Sequence, residues 1–201
     1  MCWNAEVSLK TWIFGFIVFI IGLLYGFPLN KLLFFLVFTS MQLLEYYKWT
    51  YLKDKKKNEF FSRIGHILIM IEPIFSFFLI QPIYKNIQFI LLSLYLLFIG
   101  IYNYFNYHKL DFKTVIGKSG HLHWNYMDYD RDFFYKVWTL FFFSGIFLSG
   151  DIFIILISLF TFLYSYFSVS IGNEFDSFWC YIVNIAWIYV LLHIIYNQYI
   201  K

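Results

Sequence analysis

Apolar runs of 18 to 24 residues recur along the chain, at about 11–29, 31–52, 61–82, 84–105, 133–150, 152–170 and 175–198. At about 1.5 Å per residue, each is long enough as a helix to cross the hydrocarbon core of a bilayer. Helices are the expected form, because an open sheet would leave unpaired backbone groups in lipid. The breaks carry turn chemistry: Pro28-Leu29-Asn30, Gln81-Pro82, Ser149-Gly150-Asp151 and Gly172-Asn173-Glu174. Thr11 to Phe27 has the length of a signal-peptide core but lacks a small-x-small cleavage site, so it is expected to stay as the first span. The expected fold is all-α: one polytopic domain over residues 1–201, a bundle of seven transmembrane helices, with a hydrophilic loop at 106–132. No internal repeat appears at a fixed period.

Composition sharpens this picture. The chain is 61% hydrophobic and 13% charged, against roughly 45–50% and 25% in soluble domains. Its Phe, Tyr, Ile, Asn and Lys bias is what an AT-rich genome writes, so aromatic richness alone does not argue for a ligand cage. A net charge of +3 excludes nucleic acid as an expected partner, since that would need a clustered basic face. The expected partners are the lipid bilayer and a lipid-like or small-molecule ligand.

Charge also predicts orientation. Grouping termini and alternate loops by side puts twelve of the 15 Lys and Arg residues on one side, with Lys31, Lys85 and Lys201 on the other. The positive-inside rule then predicts a cytoplasmic N-terminus and an external C-terminus. With that topology the MCWNAE start, the segment Gly117–Asp132 and the turn before the last span share the cytoplasmic face. Cys2 and Cys180 then lie on the reducing side, which disfavours a disulfide.

Several side chains stand out against this apolar background. Glu72-Pro73 falls inside the third span, where a charged acid costs on the order of 2.5–3.5 kcal/mol on insertion scales, so Glu72 is expected to face the bundle interior. Pro73 removes an amide and crowds the carbonyl of Ile69. Gln42 and Glu45 share a helix face, with Lys48 three residues further on as a plausible interface partner for Glu45. His66 and Glu72 stand about 240° apart around the helix, so one face cannot present both squarely. Glu45, Glu72 and His66 are the candidate acid/base groups. His121 and His123 are two apart and would project to one side of an extended segment; with Cys180 they form a candidate metal set whose softness suits zinc. The bland readings are interfacial packing for the histidines and hydrogen-bonded helix packing for His66. Asn173-Glu174-Phe175-Asp176 reads as a helix start, and Ser149 and Asp151 as a cap.

Two apparent motifs fail. Gly117-Lys118-Ser119 has Phe112 where a phosphate loop needs glycine. In Asp128-Tyr129-Asp130-Arg131-Asp132, Phe133 replaces the turn glycine of a calcium loop and Thr139 its closing glutamate.

The segments MCWNAEVS, QLLEYYKW, GHILIMIEP, GKSGHLHW and NEFDSFWC together resemble a family of multi-pass membrane proteins of large DNA viruses and some microbes. The resemblance covers nearly the whole chain, and its specific parts are MCW, GHLHW and SFWC. It implies that the five segments form one unit; the family has no established activity, so no roles are carried over. Retinal proteins fit less well, because residues 175–200 contain no lysine for a Schiff base. Membrane hydrolases of the ceramidase type are similar in span number, but they place His-x-x-x-His in the last span, where this chain has Cys180 and His193.

The expected functions are, in order, a membrane-embedded metal-dependent or acid/base enzyme acting on a lipid-like substrate from the cytoplasmic side, a proton- or ion-coupled transporter, and a non-catalytic membrane organiser.

Overall fold

The computed structural model describes residues 4–128, 131–169 and 175–199. Cys2 and the Asn173-Glu174 helix start lie outside these residues. Within them the chain is all-α apart from one short hairpin. The helices are α1 Ala5–Leu24, α2 Leu29–Thr50, α3 Lys55–Phe77, α4 Lys85–Asn106, α5 Arg131–Leu148, α6 Ile152–Val169, α7 Phe175–Ile182 and α8 Ala186–Tyr199. A single 3₁₀ turn, Val183–Ile185, joins α7 to α8, so these two form one interrupted helical run.

Local chemistry sets the boundaries. The Asn4 side chain accepts from the Val7 amide at 3.0 Å and starts α1. Asp54 does the same for α3 through Lys57, at 3.1 Å. Asp151 Oδ1 takes the Phe153 and Ile154 amides at 3.0 and 3.2 Å, which confirms it as the cap of α6.

Among the described residues, four helical segments are long and apolar enough to cross a membrane: Ala5–Leu24, Lys55–Phe77, Pro82–Lys109 and Ser177–Gln198. In α1 and α4 most of the apolar surface faces outward, with Ile17, Leu24, Ile90 and Leu97 among the exposed side chains. Two more apolar helices, Phe133–Leu148 and Ile152–Ser168, are shorter. The departure from seven uniform spans is clearest in α2, and its cause is the helix's position. Thr39, Gln42, Glu45 and Lys48 lower its hydropathy, and all four are buried, because α2 packs between α1, α3 and α7. It buries its polar face in protein rather than in lipid.

The helix ends segregate into two layers. At one end Asn30 donates to the Phe78 carbonyl at 3.0 Å, Gln81 donates to the Leu148 and Ser149 carbonyls, and Lys31 pairs with Asp151 at 2.5 Å. His193 joins this end through edge contact with Phe27. The other end gathers the α2–α3 turn, the hairpin and α7. Between α3 and α5 the backbones meet at Gly145, where a Cβ would lie 2.6 Å from the Ser76 carbonyl. That approach brings Trp138 of α5 against α3.

The 106–132 interval is not an extended polar loop. Strands β1 Thr114–Ile116 and β2 Leu122–Trp124 pair antiparallel, Thr114 opposite Trp124 and Ile116 opposite Leu122. Leu122, Trp124, Tyr126 and Met127 are buried, so the segment folds inward and caps the bundle end. Asn58 of α3 fastens it: its amide donates to the Thr114 carbonyl at 2.8 Å and its oxygen accepts the Thr114 amide at 2.8 Å. Ser62 adds a hydroxyl bond to Thr114 at 2.9 Å.

The Lys31–Asp151 pair carries a pH prediction. Burial raises the Asp151 carboxyl, but the bonds from Lys31 and the Ile154 amide outweigh it and hold the group below its ordinary range. A carboxyl lowered by folding stabilises the native state above its unfolded value and loses that contribution as pH falls through the folded one. The unfolding midpoint of detergent-solubilised protein should therefore drop below about pH 4. Asp151→Asn should start lower and show a flatter pH profile.

Candidate functional site

At the capped end, buried side chains of α2, α3, α5, α7 and the hairpin segment form a polar chamber. From α2, Phe38, Gln42 and Glu45 follow i, i+4, i+7 along one face, and Phe38 meets the Trp179 ring of α7 at 5.4 Å. Gln42 donates to Glu45 Oε2 at 3.1 Å, and both side chains are buried. One turn on, Lys48 is fully buried. Its Nζ donates to the Tyr126 hydroxyl at 2.9 Å and sits 4.1 Å from the centre of the Trp124 ring, so a cation is held on aromatic faces. Gly65 of α3 makes the room: a Cβ there would lie 2.6 Å from the Tyr126 oxygen and 2.7 Å from Lys48 Nζ.

Below this layer is a small cavity of about 10 Å³, enough for one water. Glu72, Cys180, Ile69, Tyr135 and the indoles of Trp124, Trp138 and Trp179 line it. Glu72 is 2% exposed and Cys180 3%. The proline beside Glu72 does free the Ile69 carbonyl, and the Trp138 indole N–H fills the vacancy at 2.9 Å. The Tyr95 hydroxyl donates to the next carbonyl, Met70, at 2.9 Å. Helix α3 continues through Pro73 with both acceptors served by side chains of α5 and α4.

The remaining expected residues separate. His66 is buried against α4 rather than in the cavity: its Nε2 bonds Asn103 Oδ1 at 2.8 Å, and Tyr107, Phe112 and Tyr126 surround the ring. The 240° argument holds: Glu72 and His66 face different neighbours. His123 pairs with Asp128 at 2.8 Å, while His121 packs against Phe178 of α7 at 5.3 Å between ring centres. Among the described residues no group of three or more His, Cys, Asp or Glu side chains is placed to hold a metal. Of the expected trio, His123 meets Asp128, His121 meets Phe178 and Cys180 lines the indole cavity.

Four of the five segments quoted in the sequence analysis contribute to this chamber: QLLEYYKW through Gln42, Glu45 and Lys48, GHILIMIEP through Gly65 and Glu72, GKSGHLHW through Trp124, and NEFDSFWC through Trp179 and Cys180. Residues 1–3 of the first segment lie outside the described residues. Sequence reasoning missed Lys48 and Tyr126 as core residues, and it missed Trp138 and Asn103 altogether. The orphaned Ile69 carbonyl signalled that some donor was needed, without saying which.

The class these helices define, by length and composition, is that of a helical membrane protein. Comparison with models of known protein families, with curated proteins and with solved structures finds no match.

Proposed function

We propose that this is a seven-pass membrane protein with its N-terminus in the cytoplasm, whose chamber performs acid/base chemistry on a lipid-like substrate. Separation of the alternate loops into two end layers supports the antiparallel pass count. The lysine-rich end is then the cytoplasmic one. The five-segment resemblance to multi-pass proteins of large DNA viruses supports treating the chamber as one functional unit.

The observation that carries the catalytic reading is the cavity: a carboxyl and a thiol, deep in an apolar bundle, share a space that holds one water-sized reactant. Glu72 is the proposed proton acceptor and donor, with Glu45, oriented by Gln42, as the second carboxyl. The positions of His121 and His123 favour this form of the enzyme over a zinc-dependent one. The proton-coupled transporter is the second reading, favoured by an acid beside an intramembrane proline. The Trp138 bond to the freed carbonyl weighs against it, since it braces the helix where a moving element would need slack.

The test is turnover of labelled phospholipids and sphingolipids by purified protein in mixed micelles, with and without a chelator. Turnover that persists under chelation is expected. Turnover that vanishes and returns with added zinc would overturn the acid/base assignment in favour of a metal centre. Vesicles that show proton-coupled flux and no lipid turnover would favour the transporter.

A further inference from the structure

A second cavity lies outside the chamber, at the surface of the same bundle end. Its volume is about 540 Å³, and it opens between the α2–α3 turn and the segment leading into β1. Lys53, Lys55, Arg63 and Lys113 line it, with Glu59 and Asp111 as the acids. Both acids are already engaged. Glu59 accepts from Arg63 at 2.6 Å, and Asp111 accepts the Asn125 amide at 2.7 Å. Arg63 is spent as well, on Glu59 and on the Tyr107 hydroxyl at 2.7 Å. Lys53, Lys55 and Lys113 have exposed side chains, and none makes a side-chain hydrogen bond or ion pair among the described residues.

The bases lining the cleft outnumber its acids, since Glu59 balances Arg63 and Asp111 offsets only one of the three lysines, so its exposed ammonium groups repel each other unless an anion joins them. The depth of the cleft narrows the class of anion. It sits where α3 and the segment ending at Lys109 terminate, both long and apolar enough to cross a bilayer, so its level is that of lipid headgroups. Lysine clusters directly flanking a membrane span attract anionic lipids.

We propose that the Lys53–Lys55–Lys113 cleft binds the phosphate-bearing headgroup of an anionic phospholipid. The headgroup phosphate bridges the α2–α3 turn to the β1 approach, and the acyl chains lie along the outer face of α3 and α4. This site does not depend on the acid/base reading of the chamber and fails separately from it.

The experiment uses full-length protein in nanodiscs of phosphatidylcholine containing phosphatidylglycerol, with retained lipid counted by native mass spectrometry after release. Wild type should keep phosphatidylglycerol in preference to phosphatidylcholine, and the K53Q/K55Q/K113Q variant should weaken that retention by about tenfold or more. K53R/K55R/K113R should restore it, and Lys56→Gln, an exposed lysine of the same turn outside the cleft, should leave it unchanged. Equal retention by the triple glutamine variant overturns the proposal. So does equal retention of the two lipids, or a loss in Lys56→Gln as large as in the triple variant. A third arm adds millimolar inorganic phosphate: full displacement of the lipid would assign the cleft to a soluble phosphate instead.

Discussion

Glu72→Gln should lower lipid turnover by about 10²–10⁴-fold, the usual contribution of a positioned acid/base group, and should leave the fold in place. Glutamine has the volume and hydrogen-bonding reach of the acid, so the small cavity beside Cys180 keeps its shape. What it loses is a titrating proton. Helicity and the unfolding midpoint of the variant are therefore expected to stay close to wild type, while the rate falls and its dependence on pH flattens. Cys180→Ser is the companion, because it keeps a small polar group against the same indoles. Wild-type turnover in Glu72→Gln would remove the acid/base role. A large fall in the unfolding midpoint would instead show Glu72 to be a packing residue.

The second large effect concerns the support behind that site. Trp138→Phe keeps an aromatic ring between α3 and α5 but deletes the N–H that serves the Ile69 carbonyl. An acceptor stranded in an apolar interior costs about 1–3 kcal/mol, which should appear as a lower denaturation midpoint in detergent. The cause can be isolated with Pro73→Ala, which restores a backbone amide four residues after Ile69. In that background Trp138→Phe should cost much less, since the carbonyl has its helical donor again. Equal costs in both backgrounds would mean that the indole matters through packing alone, for instance through its stacking on Phe142 at 4.8 Å. The cycle is informative because the two residues act on one atom.

These two sites also mark where sequence reasoning succeeds and where it stops. The helices are legible because lipid and protein interiors both demand long apolar runs with satisfied backbones, and Pro73 announces its freed carbonyl through a fixed four-residue offset. The burial of Glu72 follows from the cost of an acid inside an apolar span, and its separation from His66 from helical geometry. The partner of the carbonyl does not, because Trp138 is 69 positions away and only the packing of α5 on α3 selects it. The hairpin is hidden for a related reason. Residues 114–116 and 122–124 are too short to show a clear period, and they gain their order from Asn58, a residue of another helix. The histidine pair illustrates the limit of spacing arguments: His123 meets Asp128 and His121 meets Phe178, and a spacing of two residues encodes neither contact.

The polarity of α2 has a consequence for biogenesis. A segment carrying Gln42, Glu45 and Lys48 in its second half is a poor candidate to leave the translocation channel alone, since each charge at helix centre weighs about 2.5–3.5 kcal/mol against insertion. Its flanking partners α1 and α3 are long and apolar enough to cross a membrane, whereas α2 has the length without the apolar character. On the seven-pass reading proposed above, α2 is expected to enter the membrane together with α1 and α3, the helices that pack on it. A nascent chain truncated between residues 51 and 54 should leave α2 stalled and open to quality-control proteolysis.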